Sequence, residues 1–222
     1  MYIILGIFLL LVCYVVYTKL RDKKLLDTVT KTYRGTYSER NLVLKLLKSG
    51  IPSQTIFHDL YVKKDSKNYS QIDLVVATKV GILVFEVKDY SGWIFANGSP
   101  KWTQVLAHGK QKYKFYNPIM QNNSHIADLR KQLKQFENIP FYSIIVFYGN
   151  CVLKEVGHVP YGTFIIKPGS VRELINDILR KAEPAKYSDK YEIIRVLNEA
   201  VKNGESKEIQ IQHIENIRNK FG

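Results

Sequence analysis

Cysteine is scarce in this sequence: Cys13 and Cys151 are the only two among 222 residues. Cys13 lies inside an apolar N-terminal run and Cys151 far downstream, so they are poorly placed to pair. That argues against a disulfide framework and favours a reducing compartment. The five histidines (His58, His108, His125, His158 and His213) are scattered, without the spacing of a zinc site. There is no internal repeat and no low-complexity tract. A chain of this length then reads as one domain with additions, or a domain plus a small subdomain.

Negative charge is also short. Asp and Glu number 20 against 33 Lys and Arg, a formal charge of +13. Such an excess favours contact with polyanions, either nucleic acid or an anionic membrane surface, and does not choose between them.

Residues 1–18, MYIILGIFLLLVCYVVYT, carry no charged side chain. The run is just long enough for a bilayer core, which takes about 20 apolar residues and tolerates ~17. It lacks the basic start and small-residue cleavage site of a removable signal peptide, so it reads as a signal anchor. Lys19, Arg21, Lys23 and Lys24 follow it, and the positive-inside rule places the C-terminal domain in the cytoplasm. On a cytoplasmic domain the glycosylation sequons at Asn68, Asn97 and Asn122 are chance matches. Residues 19–34 read as a linker or a helical extension of the anchor.

Beyond the anchor the pattern alternates between helix and strand. Residues 37–48 have helical periodicity, stopped by Gly50-Ile51-Pro52. Residues 56–63 read as a strand, 65–68 as a turn, and 71–77 and 82–88 as two apolar strands. Short strands are predicted at 92–95 and 101–106. Asn117-Pro118 opens a helix with the apolar stripe Ile119, Ile126, Leu129, Leu133 and Phe136. Residues 143–148 read as a buried strand. Short strands near 151–156 and 163–167 follow, then helices near 170–182, 188–202 and 205–220. In the helix at 188–202, Tyr191, Ile194, Leu197 and Val201 form an apolar stripe.

The two strands at 71–77 and 82–88 hold charge where buried strands avoid it: Asp73, Glu86 and Lys88. Buried charge is costly unless paired, hydrogen-bonded or bound to metal. Glu86 and Lys88, two apart, share a face of their strand. A two-residue loop at Lys79-Val80 would pair Thr78 with Gly81 and set Asp73 opposite Glu86, a repulsive arrangement that a cation would relieve. A bulge at Gly81 would shift that register by one residue. Two carboxylates and the carbonyl of Val87 suit Mg²⁺ or Mn²⁺. Such an ion would activate water and polarise a scissile phosphate, with Lys88 neutralising developing charge. Glu39, on the first helix of the domain, could add a carboxylate through a water or a second ion. Each charge also has a simpler reading: Asp73 as a turn cap, Glu86 with Lys88 as an ion pair, and Glu39 as a solvated helix charge.

Several segments in order, Gly35-Thr36-Tyr37-Ser38-Glu39, His58-Asp59-Leu60-Tyr61, Gln71-Ile72-Asp73, Glu86-Val87-Lys88, Gly92-Trp93-Ile94-Phe95, Trp102-Thr103-Gln104 and Asn117 to Asn122 with His125-Ile126, resemble the NERD (nuclease-related) domain. That domain is a branch of the PD-(D/E)xK restriction-endonuclease-like superfamily. The family usually has Gly at Ser38 and often His at Leu74. The resemblance implies an α/β fold, a mixed central sheet flanked by helices, with the family core at 35–150 and residues 151–222 completing or extending it. It implies Asp73, Glu86 and Lys88 as an active-site triad with Glu39 as the helix acid, and a role in DNA processing, DNA being favoured over RNA. Homodimers are common in the superfamily. Gln121 and His125, one helical turn apart beside the apolar stripe, are similar to the Gln-x-x-x-Tyr element of RecB-like nucleases, with His in place of Tyr, and imply phosphate or metal-water contact.

Aromatic residues cluster after the triad, interleaved with Lys101, Lys110, Lys112 and Lys114. Most of the rings read as core. Lys110, Lys112 and Lys114, with Gln104, are the candidates for contact with nucleic acid. Three functions compete: a membrane-tethered metal-dependent nuclease in the bacterial cytoplasm, a non-catalytic nucleic-acid-binding module, and a membrane-anchored scaffold that binds partners through its C-terminal helices.

Overall fold

The computed structural model describes residues 2–65, 68–106 and 109–221. Ser66 and Lys67 of the expected turn lie outside the described residues. Helix α1 (Tyr2–Leu26) is long and apolar enough to cross a membrane, and its apolar span is exposed. It runs through the basic flank, so residues 19–26 extend the apolar helix. Leu26 and Val29 then pack into the core, and Lys48 pairs with Asp22.

Helix α2 (Tyr37–Lys48) starts at a side-chain cap: Thr36 Oγ1 accepts the Glu39 amide at 3.3 Å and donates to Glu39 Oε1 at 2.7 Å. A five-stranded sheet follows the order β1 (Ile56–Lys63), β2 (Tyr69–Thr78), β3 (Gly81–Asp89), β7 (Phe141–Tyr148), β9 (Thr163–Ile166). The first two pairings are antiparallel and the last two parallel. This is the mixed central sheet expected. A second, four-stranded sheet has the order β6 (Gln111–Tyr116), β5 (Lys101–Leu106), β4 (Gly92–Phe95), β8 (Cys151–Lys154). Strand β6 is an addition to the expected elements; its alternating lysines and rings in QKYKFY read as surface chemistry and hid the strand period.

Helix α3 (Pro118–Arg130) supplies the crossover that the parallel β3–β7 pair requires. Asn117 caps it, accepting from the amides of Ile119 and Met120. It ends before Leu133 and Phe136, both expected in its stripe. These side chains are buried, but Leu133 is extended and Phe136 lies in a short 3₁₀ turn, where Arg130 holds the carbonyls of Phe136 and Glu137.

Helices α2 and α4 (Val171–Lys181) cover one face of the five-stranded sheet, with Leu42, Leu46, Ile175 and Phe85 in that core. Helices α3 and α5 (Lys190–Asn203) cover the other, with Leu129, Leu197, Val75 and Val84. The buried face of α5 is Ile193, Leu197 and Ala200, and Tyr191 points to solvent. The expected stripe is thus rotated toward β1, and the face that suggested partner binding is spent on the domain's own core. Helix α6 (Lys207–Phe221) closes the chain, its His213 lying edge-on to Tyr61.

Candidate active site

The site forms where the central sheet forks. The β2–β3 ladder runs from Thr78↔Gly81 to Leu74↔Phe85, the register expected from a Lys79-Val80 loop. Past that rung β2 stays with β1 as far as Tyr69, while β3 stays with β7 as far as Asp89. Asp73 and Glu86 are the next residues on the two prongs. Asp73 Oδ2 accepts the Val87 amide hydrogen at 2.7 Å, so a side chain bonds that amide at the fork.

A second distortion meets the fork. Strict alternation would put Ile72 on the face of Leu74, yet Ile72 and Val75 share the α3–α5 core, as do Phe57 and Leu60 on β1. Between Phe57 and Leu60 stands Asp59, whose φ of 55° is unusual for a residue with a side chain. Arg34 holds it: Nε lies 3.1 Å from Asp59 Oδ2, Nη2 donates to the Asp59 carbonyl at 2.6 Å, and Gln71 donates to Oδ1 at 2.9 Å. Arg34 and Asp59 are both buried, a pair whose single removal would strand a charge.

Side chains from three elements converge on the β3 prong. Lys88 Nζ lies 2.6 Å from Glu86 Oε1 and donates to Gln121 Oε1 at 3.1 Å. His125 Nε2 is 3.4 Å from Glu86 Oε2, and its Nδ1 is 2.9 Å from Ser70 Oγ. The expected face of α3 therefore meets the Glu-Val-Lys segment, with Asn122 between Gln121 and His125 fully buried and donating to the Val84 carbonyl and Ser143 Oγ. Glu39 is arranged in parallel. Its Oε2 is 3.5 Å from His58 Nε2, and His58 Nδ1 is 2.7 Å from Thr30 Oγ1. In both pairs the carboxylate oxygen and the imidazole Nε2 are buried and lack an aligned hydrogen bond.

The charges are unequal in consequence. Burial, then repulsion from Glu86 and Glu39, pushes the Asp73 carboxyl well above the ordinary range, against the pull of the Val87 amide and Lys88. Burial also acts to raise Glu86, but His125 and Lys88 outweigh it and hold that group low. Burial is likewise outweighed at Glu39, by His58 and Thr36. Burial acts to lower Lys88, but the Glu86 and Asp73 charges outweigh it and keep the ammonium protonated. Asp73 thus feels the charges of both Glu86 and Glu39.

The remaining expected residues lie elsewhere. Gln104 is on β5 and donates to the Ser91 carbonyl at 2.8 Å. Lys112 and Lys114 are on β6, the outer strand of the second sheet, and Lys110 precedes it. Of the aromatic residues, Trp102 is buried and stacked on Phe147, with Phe115 and Tyr90 packed nearby, whereas Trp93, Tyr113 and Tyr116 are exposed. Sequence reasoning left Thr30, His58 and Ser70 without a role. The available signal was His58 itself, a histidine beside Asp59 in a strand that otherwise reads largely apolar.

Residues 34–148 match the family described as nuclease-related domain, NERD. The chain belongs to the NERD family. The NERD span begins at Arg34 and ends with β7, so it takes in the fork, both histidine–carboxylate pairs and α3. It leaves out Thr30 and the strands β8 and β9 that complete the two sheets. A relative from Bacillus anthracis, described as an uncharacterized protein, is 26% identical over 199 residues, 85% of this chain and 86% of that one. No solved structure matches.

Among the described residues no group of three or more His, Cys, Asp or Glu is placed to hold a metal ion. The expected donor set is smaller: the Asp73 and Glu86 carboxylates and the Val87 carbonyl. The orphaned Glu86 Oε2 and the unfavourable charge on Asp73 fit a hard divalent ion, which would satisfy the first and relieve the second.

Proposed function

We propose that this chain is a membrane-tethered, divalent-metal-dependent nuclease that hydrolyses phosphodiester bonds in nucleic acid, DNA before RNA. The observation that carries the reading is the forked sheet, which sets Asp73, Glu86 and Lys88 together beneath Gln121 and His125 in a family described as nuclease-related. Asp73, Glu86 and the Val87 carbonyl would hold Mg²⁺ or Mn²⁺. Bound there, the ion supplies a Lewis acid for the phosphate and lowers the pKa of a coordinated water.

The chain's own groups do the rest. Lys88 keeps its proton and presents a fixed positive charge where negative charge grows on the phosphorus oxygens. Gln121 restrains that ammonium on one side and Glu86 on the other. His125 steadies Glu86 while Ser70 fixes the opposite ring nitrogen. Glu39, held low by His58, keeps a further negative charge near Asp73 that favours capture of a cation.

Helix α1 and the basic residues after it support a single-pass anchor with the NERD domain on the cytoplasmic side of the cell membrane. The test is cleavage of single- and double-stranded DNA and RNA by the full chain, stripped of metal and then given Mg²⁺ or Mn²⁺. The reading requires cleavage that depends on metal and is lost in Glu86→Gln and Lys88→Ala. Salt-sensitive binding with no cleavage under any metal would instead make the chain a binding module.

A further inference from the structure

The second sheet has one packed face and one open face. Ile94 and Trp102 point into the core shared with Phe147. On the open side the register builds two rows. Phe95 pairs with Thr103 and Thr103 with Lys114, while across the other edge Phe95 pairs with Lys154. One step along, Trp93 pairs with Val105 and Val105 with Lys112. Two rings on an inner strand are thus flanked by ammonium groups on both outer strands. Neighbouring strands lie about 4.8 Å apart, so Lys112 and Lys114 stand roughly 10 Å from the ring column. Lys154 Nζ is 5.8 Å from the Trp93 ring centre. Between the rows lies a trough of about 550 Å³, its lining including Trp93, Phe95, Lys112, Lys114 and Glu155. Trp93 is 46% exposed, and neither the core nor the fork uses it.

We infer that this face is a stacking platform for single-stranded nucleic acid, an inference that rests on the nuclease reading. Unpaired bases offer π-faces to Trp93 and Phe95, and every base can do so. The lysines on either side match the phosphates of a strand laid along the trough, and the net charge of +13 favours its approach. A duplex keeps its base faces stacked inside and cannot use the rings. A bilayer surface fits less well, because the rings sit in a trough and do not crown a ridge. Glu155 repels phosphate from its side of the trough and can accept a hydrogen bond from an exocyclic base amine. Trp93 follows Lys88 by only five positions, at most about 17 Å of chain, so a strand held here lies within reach of the fork.

The test uses the full chain in detergent with EDTA, so that binding is read without cutting, and follows the anisotropy of a labelled oligothymidine and of a hairpin duplex. The strand should bind at least about tenfold tighter than the duplex. Trp93→Ala should weaken strand binding by about tenfold or more. Lys112→Ala and Lys114→Ala should each lower the salt slope by about 0.7. Equal affinity for strand and duplex, a silent Trp93→Ala, or an indole fluorescence change that anionic phospholipid causes, the strand does not and Trp93→Phe abolishes would overturn the inference. Failure of the nuclease reading looks different: strand binding persists, and added Mg²⁺ or Mn²⁺ produces no cut.

Discussion

Asp73 Oδ2 takes the amide hydrogen of Val87 at 2.7 Å, one residue beyond the last rung that joins β2 to β3. That bond holds the two prongs of the fork at a fixed separation with no main-chain rung between them. It also gives a carboxylate a main-chain partner at a position where a sheet would normally have an apolar side chain.

Replacing Asp73 by Asn should stabilise the metal-free protein at neutral pH. The Asp73 pKa is raised in the fold, so any stability it contributes is fully present below its unfolded value and is lost as pH rises through the folded value. At pH 7–8 the charged form carries the cost of burial and repulsion, whereas Asn is neutral and can still accept from Val87. Thermal unfolding in EDTA should therefore show a higher Tm for the variant, by roughly 2–4 °C for each kcal/mol relieved. The gain should vanish at acid pH, where Asp73 is protonated in both states. The variant should also lose any stabilisation by Mg²⁺ or Mn²⁺.

Gln121→Ala removes one acceptor from Lys88 and leaves Glu86 in place. Cleavage should fall by about ten- to a hundredfold as the ammonium loses its orientation, while metal affinity stays unchanged. Single-turnover kinetics beside calorimetric Mn²⁺ titration separates the two effects.

Thr30→Val leaves His58 Nδ1 buried without its 2.7 Å partner. The expected cost is about 1–3 kcal/mol, read as a lower Tm of the full chain. The same contact means that the segment after α1 is part of the domain and not a loose tether: Leu26 and Val29 join the core, and Arg34 pins Asp59. A fragment cut to residues 34–148 should fail to fold, since it lacks Leu26, Val29, Thr30, β8, β9 and α5.

Gly35 has a φ of 60°, and a Cβ there would sit 2.7 Å from His58 Nε2 and against Glu39 Oε2. Gly35→Ala should cost about 1–3 kcal/mol of stability. It should also lower cleavage by displacing Glu39, which a comparison of Tm and kcat against Gly50→Ala, whose Cβ would meet no other atom, will show.

Much of this arrangement was legible in the sequence wherever one residue pattern had one physical solution. The Lys79-Val80 loop allowed a tight hairpin, and its register followed; residues 56–63 alternate well enough to give β1 its observed ends. Helical spacing put Gln121 and His125 on one face of α3, and the likeness to a Gln-x-x-x-Tyr element pointed that face at the site. The fork was not legible, because it depends on β7 and β1 each holding one prong, contacts distant in sequence. His58 was overlooked for the same reason: its partners Thr30 and Glu39 come from two other segments. In α5 the buried stripe is offset by one position from the expected one: Ile193 and Ile194, like Ala200 and Val201, are adjacent apolar residues, and only packing on β1 decides which of each pair is fully buried.

Where a divalent cation binds decides whether the fork is a metal site. Crystals of the full chain soaked in Mn²⁺ and measured at the manganese absorption edge will locate it. The expected result is an anomalous peak bonded by Asp73, Glu86 and the Val87 carbonyl, absent in Glu86→Gln. Manganese bound elsewhere, or a bare fork at millimolar concentrations of the ion, would contradict it.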